Sequence, residues 1–201
     1  GTLALGYIPW RNLPDHFGYK GDMREVIMIN REITDLERSK INYYLSQKWE
    51  MEEVTDSDQD GVVDAYDVAP TDPTLSTISS ETPDVLSQMG DRLQVWLDSS
   101  DSDFFQFNSS GEVQTWYDQS GHGNDAYQNT IGAAPTLENS TVVFDGSNDF
   151  MTINVNEENK LKDDSFYGYV VYANPGVNTS SYNTAIFSNY GPSTQELSLY
   201  L

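Results

Sequence analysis

The sequence predicts a mainly β fold with one helix, interrupted by an acidic linker. Short stretches that alternate apolar and polar residues, bounded by turn residues, occur near both ends of the chain, and this is the pattern of strands. Of the 201 residues 37% are hydrophobic, and 13 Tyr, 8 Phe and 4 Trp supply the bulk of a core. The composition therefore indicates a globular all-β chain.

Several strands and a short helical turn can be placed from these patterns. The predicted strands are Gly21–Asn30, Leu93–Asp98, Tyr167–Tyr172, Ala185–Asn189 and Leu197–Leu201. A turn of helix is predicted at Asp84–Met89. The polar residues 74–83 between the strands have the composition of an exposed linker.

The one longer helix follows the first predicted strand. Thr34 and Glu37 have the spacing of a capping box, in which each side chain accepts a hydrogen bond from the other residue's amide. Ile41, Leu45 and Trp49 then recur on one face. The pattern predicts a helix from Asp35 to Trp49 whose apolar stripe packs on a sheet.

The stretch from residue 56 to residue 73 is the only one whose spacing specifies a chemistry by itself. Aspartates occupy positions 1, 3, 5, 9 and 12 of an EF-hand-like loop, and Gly61 stands at position 6, where the backbone turns sharply. The loop residues with candidate ligand oxygens are Asp56, Asp58, Asp60, Val62 (through its carbonyl), Asp64 and Asp67. Calcium accepts six to eight oxygen ligands, so this set favours Ca²⁺ over Mg²⁺.

Two further features of this stretch bear on its role. An ordinary solvated acidic linker, the alternative interpretation, does not explain Gly61 or the Pro70, Asp72 and Pro73 that follow the last ligand. Position 12 is Asp67 rather than the longer Glu of an EF-hand, and no amphipathic helix flanks the loop. A structural ion is therefore expected rather than a helix-opening sensor.

The pattern D-x-D-x-D-G-x-x-D-x-x-D-x-x-P-x-D-P closely resembles the thrombospondin type 3 calcium repeat, in the cysteine-free form common in bacterial surface proteins. The resemblance covers residues 56–73. It implies that the six loop residues named above bind calcium and that Asp72 is a candidate ligand of a second ion.

The segments on either side resemble parts of one domain family. Residues 1–50 contain G-D-x-x-E-V-I-x-x-N-R (Gly21 to Arg31), a helix start at Thr34 and Y-L-x-x-K-W (Tyr44 to Trp49). Residues 92–201 contain W-L-D-x-x-D (Trp96 to Asp101), W-x-D-x-S-G-x-G-N-D-A (Trp116 to Ala126) and F-D-G-x-x-D (Phe144 to Asp149). They resemble, respectively, the end and the beginning of a LamG-like, concanavalin-type jelly-roll domain.

The resemblance implies a concanavalin-like jelly-roll β-sandwich with one short helix and a calcium-binding linker. The predicted domains are residues 1–50, 51–91 and 92–201, the middle one being the linker. The chain is either a slice across two neighbouring repeats, or its two jelly-roll pieces join each other. The sequence leaves both open, and we expect each piece to find its complement in a neighbouring repeat or subunit.

Catalysis is not expected. The E-x-D-x-x-E triplet of concanavalin-like glycosidases is missing from the sequence, and Glu25 and Glu196 stand alone on their predicted strands. His16 and His122 are the only histidines, and Ser120 beside His122 has no clear third partner. A net charge of −22 opposes binding to nucleic acid, and no apolar run is long enough to insert in a membrane.

Ligand binding is the remaining chemistry. Sugars are commonly held by carboxylates, amides and a flat aromatic ring, and six residues offer these groups: Tyr117, Asp118, Asn124, Asp125, Asn148 and Asp149. The alternative is that they form tight turns, where Asn, Asp and Gly are common.

Together these features predict a calcium-stabilised structural or adhesive repeat of a secreted or cell-surface bacterial protein, with carbohydrate as a candidate ligand and filament formation as a candidate assembly. The alternative is a non-catalytic carbohydrate-binding module of a secreted polysaccharide-degrading enzyme. The absence of Cys agrees with bracing by calcium instead of disulfides.

Overall fold

The computed structural model describes residues 2–6, 19–51, 58–59, 67, 69, 71–75, 85–154 and 167–173, and the backbone of 185–190 and 198–200. The chain divides into two compact units, Gly1–Asn30 with Gln94–Leu201 and, separately, Arg31–Leu93. The domain bounds predicted from sequence motifs, after residues 50 and 91, stay a prediction. The helix predicted within residues 1–50 therefore lies in a different unit from the strands that precede it.

The first unit consists of antiparallel strands in two sheets. The described strands are β1 (Thr2–Leu5), β2 (Lys20–Ile29), β3 (Leu93–Asp98), β4 (Phe105–Phe107), β5 (Val113–Trp116), β6 (Ala126–Tyr127), β7 (Thr136–Glu138), β8 (Thr141–Asp145), β9 (Met151–Asn154), β10 (Tyr167–Ala173), β11 (Ala185–Tyr190) and β12 (Ser198–Tyr200). Those described strands form a 7-stranded sheet, β12-β11-β1-β9-β6-β5-β4, and a 5-stranded sheet, β10-β2-β8-β7 with β3 on β2. The mainly β class and the strands predicted from the sequence are confirmed.

The first 30 residues supply an internal strand to each sheet. In the larger sheet β1 lies between β9 and β11, with Leu3 opposite Ile153 on one side and Asn189 on the other. In the smaller sheet β2 pairs with both β8 and β10. The structure corrects the expectation of a complement from a neighbouring chain, because the two pieces pair with each other within one chain.

One hydrophobic core is shared by the two sheets of this unit. It includes Leu5 and Trp116 from the larger sheet and Met23 and Phe144 from the smaller one, all at most 1% exposed. Trp116 stacks on Phe105 with ring centroids 5.6 Å apart and donates its Nε1–H to the Asp98 carbonyl at 2.9 Å. Trp116 is therefore a core residue.

Two glycines allow the first 30 residues of the chain to approach β8 closely. Gly6, which follows β1, has φ +85°, and a Cβ there would lie 2.5 Å from Cδ1 of Phe144. Gly146, which follows β8, has φ +76°, and a Cβ there would lie 2.4 Å from Cβ of Lys20. Both positions combine a left-handed backbone with a steric limit, so both require glycine.

A buried polar contact joins β2 to β3. Glu25 is fully buried in β2, and its Oε1 accepts a hydrogen bond from Nε1 of the half-buried Trp96 at 2.8 Å. The Ser99 amide also donates to the Arg24 carbonyl at 2.9 Å. Glu25 thus has a structural contact with the neighbouring strand β3.

The second unit contains α1 (Asp35–Trp49) and α2 (Val85–Met89), which contact each other. The helix bounds and the capping box are confirmed: the Glu37 amide donates to Oγ1 of Thr34 at 3.2 Å, and the Thr34 amide donates to Oε2 of Glu37 at 2.9 Å. Ile41, Leu45 and Trp49 are buried. Packing of this stripe on a sheet stays a prediction.

An ion pair outside the sequence prediction anchors the start of α1. Arg31 donates to both carboxylate oxygens of Glu37, at 2.9 and 2.6 Å, and this pair lowers the pKa of Glu37 to about 2. Arg31 also lies 3.3 Å from the sulfur of Met89 in α2.

Among the described helices none is both long and apolar enough to cross a membrane.

Candidate functional site

Three of the predicted calcium ligands fall within the described residues. They are Asp58, Asp67 and Asp72; the others, Asp56, Asp60, Val62 and Asp64, lie outside them. Asp58 is half-buried, and Gln59 beside it has φ +62°, so the backbone turns within the predicted loop. In the part of the chain that the structure describes, no group of three or more His, Cys, Asp or Glu side chains could hold a metal ion.

Asp67, the last predicted ligand of the loop, is a buried carboxylate with one committed oxygen. Its residue is 2% exposed, and its Oδ1 accepts a hydrogen bond from the Ala69 amide at 2.9 Å. Its Oδ2 is buried and has no hydrogen-bond partner. Because a buried, unsatisfied carboxylate oxygen costs free energy, this atom fits a cation ligand.

A series of turns follows Asp67. The Asp72 amide donates to the Ala69 carbonyl at 2.8 Å, and the Leu75 amide donates to the Asp72 carbonyl at 3.0 Å. Oδ1 of Asp72 accepts from the amide and the hydroxyl of Thr74, at 3.1 and 2.6 Å, and these bonds lower the pKa of Asp72. Asp72 therefore shapes this turn, and its role as a ligand of a second ion stays a prediction.

Asp118, a predicted ligand-binding residue, is the centre of a hydrogen-bond network. Its Oδ1 accepts from the amides of Trp96 and Ser120, at 2.8 and 3.0 Å. Its Oδ2 accepts from the Ser120 hydroxyl at 2.6 Å and from the Asn124 amide at 2.9 Å. Both oxygens are thus occupied in holding the loop after β5 against β3.

The residues around Asp118 share this arrangement. Asn124 is fully buried and donates from its side chain to the Gln94 carbonyl at 2.7 Å. Oδ1 of Asp125 accepts from the Asp118 amide at 2.8 Å. Tyr117, by contrast, is 37% exposed. Of the predicted residues in this loop, Tyr117 is therefore the one with a large surface facing solvent.

Asn148 and Asp149 lie in a different turn, between β8 and β9. The turn is organised by Asp145, which the sequence analysis placed in the F-D-G-x-x-D motif but not among the ligand-binding residues. Its Oδ1 accepts from the amides of Ser147, Asn148 and Asp149, at 2.7, 3.2 and 3.4 Å. Asn148 is exposed and donates from its side chain to the Gly132 carbonyl. A sequence signal was available, because D-G-S-N-D has the composition of an Asx turn.

The carboxyl group of Asp149 is in an unfavourable environment for a charge. The residue is 8% exposed, and burial raises its pKa to about 6, with further contributions from the nearby carboxylates of Asp145 and Glu112. The Asp145 amide, which donates to Oδ2 of Asp149 at 2.9 Å, acts in the opposite direction. The ionised form is therefore destabilised in the folded protein.

Comparison of the chain with family models, curated proteins and solved structures gave no match.

The Asp118 network predicts a structural effect of mutation. We expect Asp118→Ala to lower the free energy of unfolding by about 1 to 2 kcal/mol, because several amide donors lose their acceptor. Urea unfolding measures this. Asp103→Ala, at an exposed carboxylate of the same unit, is the matched control and should have little effect. Equal stability of the two variants would contradict the structural role.

The raised pKa of Asp149 predicts a pH-dependent effect. The folded state holds the Asp149 proton more tightly than the unfolded state, so this group's contribution to stability falls as pH rises from about 4 to about 6. Asp149→Asn should therefore stabilise the fold by about 1 to 2 kcal/mol at pH 7, but not at pH 4. Urea unfolding at both pH values checks this, and the same difference at each would refute it.

Proposed function

We propose that this chain is a structural or adhesive segment of a secreted or cell-surface bacterial protein, in which calcium bound at residues 56–67 braces a linker. The observation that carries the proposal is the buried Oδ2 of Asp67, which has no hydrogen-bond partner and occupies the last ligand position of the predicted loop. The choice of calcium rests on ligand chemistry. Carboxylate and carbonyl oxygens in this number suit a hard cation with flexible coordination.

The proposed architecture beside this linker is a concanavalin-like jelly roll. Two antiparallel sheets that share one core support it, as does the non-sequential strand order in which β1 and β9 are neighbours. The motif residues also take structural positions: Trp116 and Phe144 in the core, and Asp118 and Asp149 in tight turns. The resemblance of the motifs to this family is explained if they specify the turns of the fold.

A non-catalytic role is part of the proposal. Glu25 is fully buried and accepts a hydrogen bond from Trp96, and Asp118 uses both oxygens to accept bonds from its own loop and from β3. Groups committed in this way are poor candidates for moving protons to and from a substrate. A scaffold or adhesive function needs no such group.

Carbohydrate binding is the second candidate, and the exposed ring of Tyr117 favours it. An aromatic face next to polar loops is a common platform for a sugar ring. This surface would suit either an adhesin or, as the alternative, a non-catalytic module of a secreted polysaccharide-degrading enzyme. Neighbouring repeats or subunits of the same protein are the proposed partners in a filament.

The experiment that tests the calcium site is titration calorimetry of the full chain after removal of metal with a chelator. Calcium should bind with a Kd of about 10⁻⁴ to 10⁻³ M, the range of extracellular modules. The double variant Asp58→Ala with Asp60→Ala should not bind in this range. Absence of heat with the parent chain, or equal binding by the variant, would refute the proposed function.

A further inference from the structure

We infer that Asp67 uses its two carboxylate oxygens for two different tasks, so that ion binding is coupled to the order of the Ala69–Leu75 turn series. Oδ1 holds the first turn after the loop, and Oδ2 alone binds the cation. This inference rests on the proposed calcium site, and it adds the coordination mode of one ligand and the segment that the ion regulates.

The different roles of Oδ1 and Oδ2 follow from the contacts that each oxygen makes. Oδ1 accepts from the Ala69 amide at 2.9 Å, a normal length for such a bond. Oδ2 is buried and has no hydrogen-bond partner. An EF-hand closes its loop with a bidentate Glu at position 12. Asp67 is one methylene shorter and has already committed one oxygen, so it binds the cation through a single oxygen.

The second step concerns the backbone beyond Asp67. The bond to the Ala69 amide begins a continuous series, because the Ala69 carbonyl accepts from Asp72 at 2.8 Å and the Asp72 carbonyl accepts from Leu75 at 3.0 Å. Thr74 adds two bonds to Oδ1 of Asp72. The Asp67 side chain therefore helps to fix the backbone that follows the loop, through hydrogen bonds that involve Ala69, Asp72, Thr74 and Leu75.

Coupling arises because Asp67 must stay buried for both tasks. Without a cation, Oδ2 gains a hydrogen-bond partner only when the Asp67 side chain turns toward water. This movement breaks the hydrogen bond between Oδ1 and the Ala69 amide. With a cation, Oδ2 is satisfied in place. By mass action, the ion therefore stabilises the arrangement in which Asp67 is buried and its Oδ1 accepts from the Ala69 amide.

The test combines calcium titration calorimetry with amide hydrogen exchange on the full chain. In the parent, calcium should slow exchange at Ala69, Asp72 and Leu75 by about tenfold. Asp67→Asn keeps one oxygen for the Ala69 amide but offers an uncharged amide group to the ion. It should weaken calcium binding by about tenfold or more, and a calcium concentration that protects the parent should not protect this variant. Asp103→Asn, which removes one exposed charge elsewhere, should match the parent.

The possible failures are distinct. If the parent binds calcium and Asp67→Asn binds it equally well, Asp67 is not a ligand, and the inference falls while the proposed function stands. If calcium binds and leaves the exchange of the three amides unchanged, the coupling is wrong. If the parent does not bind calcium, both the inference and the proposed function fall.

Discussion

Leu5→Ala is expected to lower the free energy of unfolding of the two-sheet unit by about 3 to 5 kcal/mol. Leu5 is fully buried in the core, and its strand lies between two others, with Met151 opposite it in β9 and Phe187 in β11. Truncation removes apolar contact and leaves a cavity that surrounding strands cannot collapse to fill. The indole NMR signal of Trp116, which is buried in the same core, reports the unfolding.

A matched control separates this effect from a general loss of stability. Leu36→Ala makes the same change at a leucine that is 53% exposed in α1, and the Trp116 transition should be unchanged in this variant. The Trp116 transition of the parent should also be independent of protein concentration, because the two pieces pair within one chain. A Trp116 transition that depends on protein concentration would support pairing between chains instead, and one that Leu5→Ala leaves unaltered would contradict the core position of Leu5.

The local elements of the fold were predictable from the sequence because their causes are local. The helix from Asp35 to Trp49 begins where Thr34 and Glu37 can cap each other, and these residues are near neighbours in the chain. The strand Leu93–Asp98 is bounded by turn residues and is nearly all buried. In both cases the signal and the structure it specifies lie within one short window.

The closure of the fold was not predictable, because it depends on contacts between distant residues. Leu3 pairs with Ile153, and Lys20 pairs with Asp145. In the sequence these partners are separated by the linker, which belongs to the other unit. An alternating strand shows which face is buried but not which partner covers its edges. The close approach of Gly146 to Lys20 is equally invisible, since a glycine in a turn is expected whether or not a strand lies beside it.

The candidate site residues also include features that the sequence predicts and features that depend on distant contacts. Asp118, Asn124 and Asp125 belong to one motif in the sequence and were predicted as ligand-binding residues from their side-chain chemistry, and the structure places them together. What spacing could not show is that the oxygens of Asp118 face the amides of Trp96 and Asn124 instead of solvent. Side-chain direction depends on how the loop packs against β3, and β3 is separated from the loop in the sequence.

Removal of calcium is expected to have the largest effect on the second unit, formed by Arg31–Leu93. Five closely spaced carboxylates repel one another in an empty loop, and the unsatisfied oxygen of Asp67 adds to this cost. With free calcium at about 100 times Kd, binding stabilises the folded unit by about 2.7 kcal/mol. For a unit of this size the melting temperature should rise by roughly 20 °C. The indole signal of Trp49, which is buried in α1, follows this transition.

The control for this last prediction lies within the same chain. Trp116 reports the two-sheet unit, and its transition should shift much less with calcium than that of Trp49 if the ion acts on the linker. Magnesium at the same concentration should have a smaller effect than calcium, because it demands a tighter octahedron and gives up water reluctantly. A calcium-dependent shift of the Trp49 transition that persists in the variant with Asp58→Ala and Asp60→Ala would place the responsible ion outside the predicted loop. Without any shift in the parent, the acidic run would be a solvated linker, since repulsion among its carboxylates would then be relieved by water and salt alone.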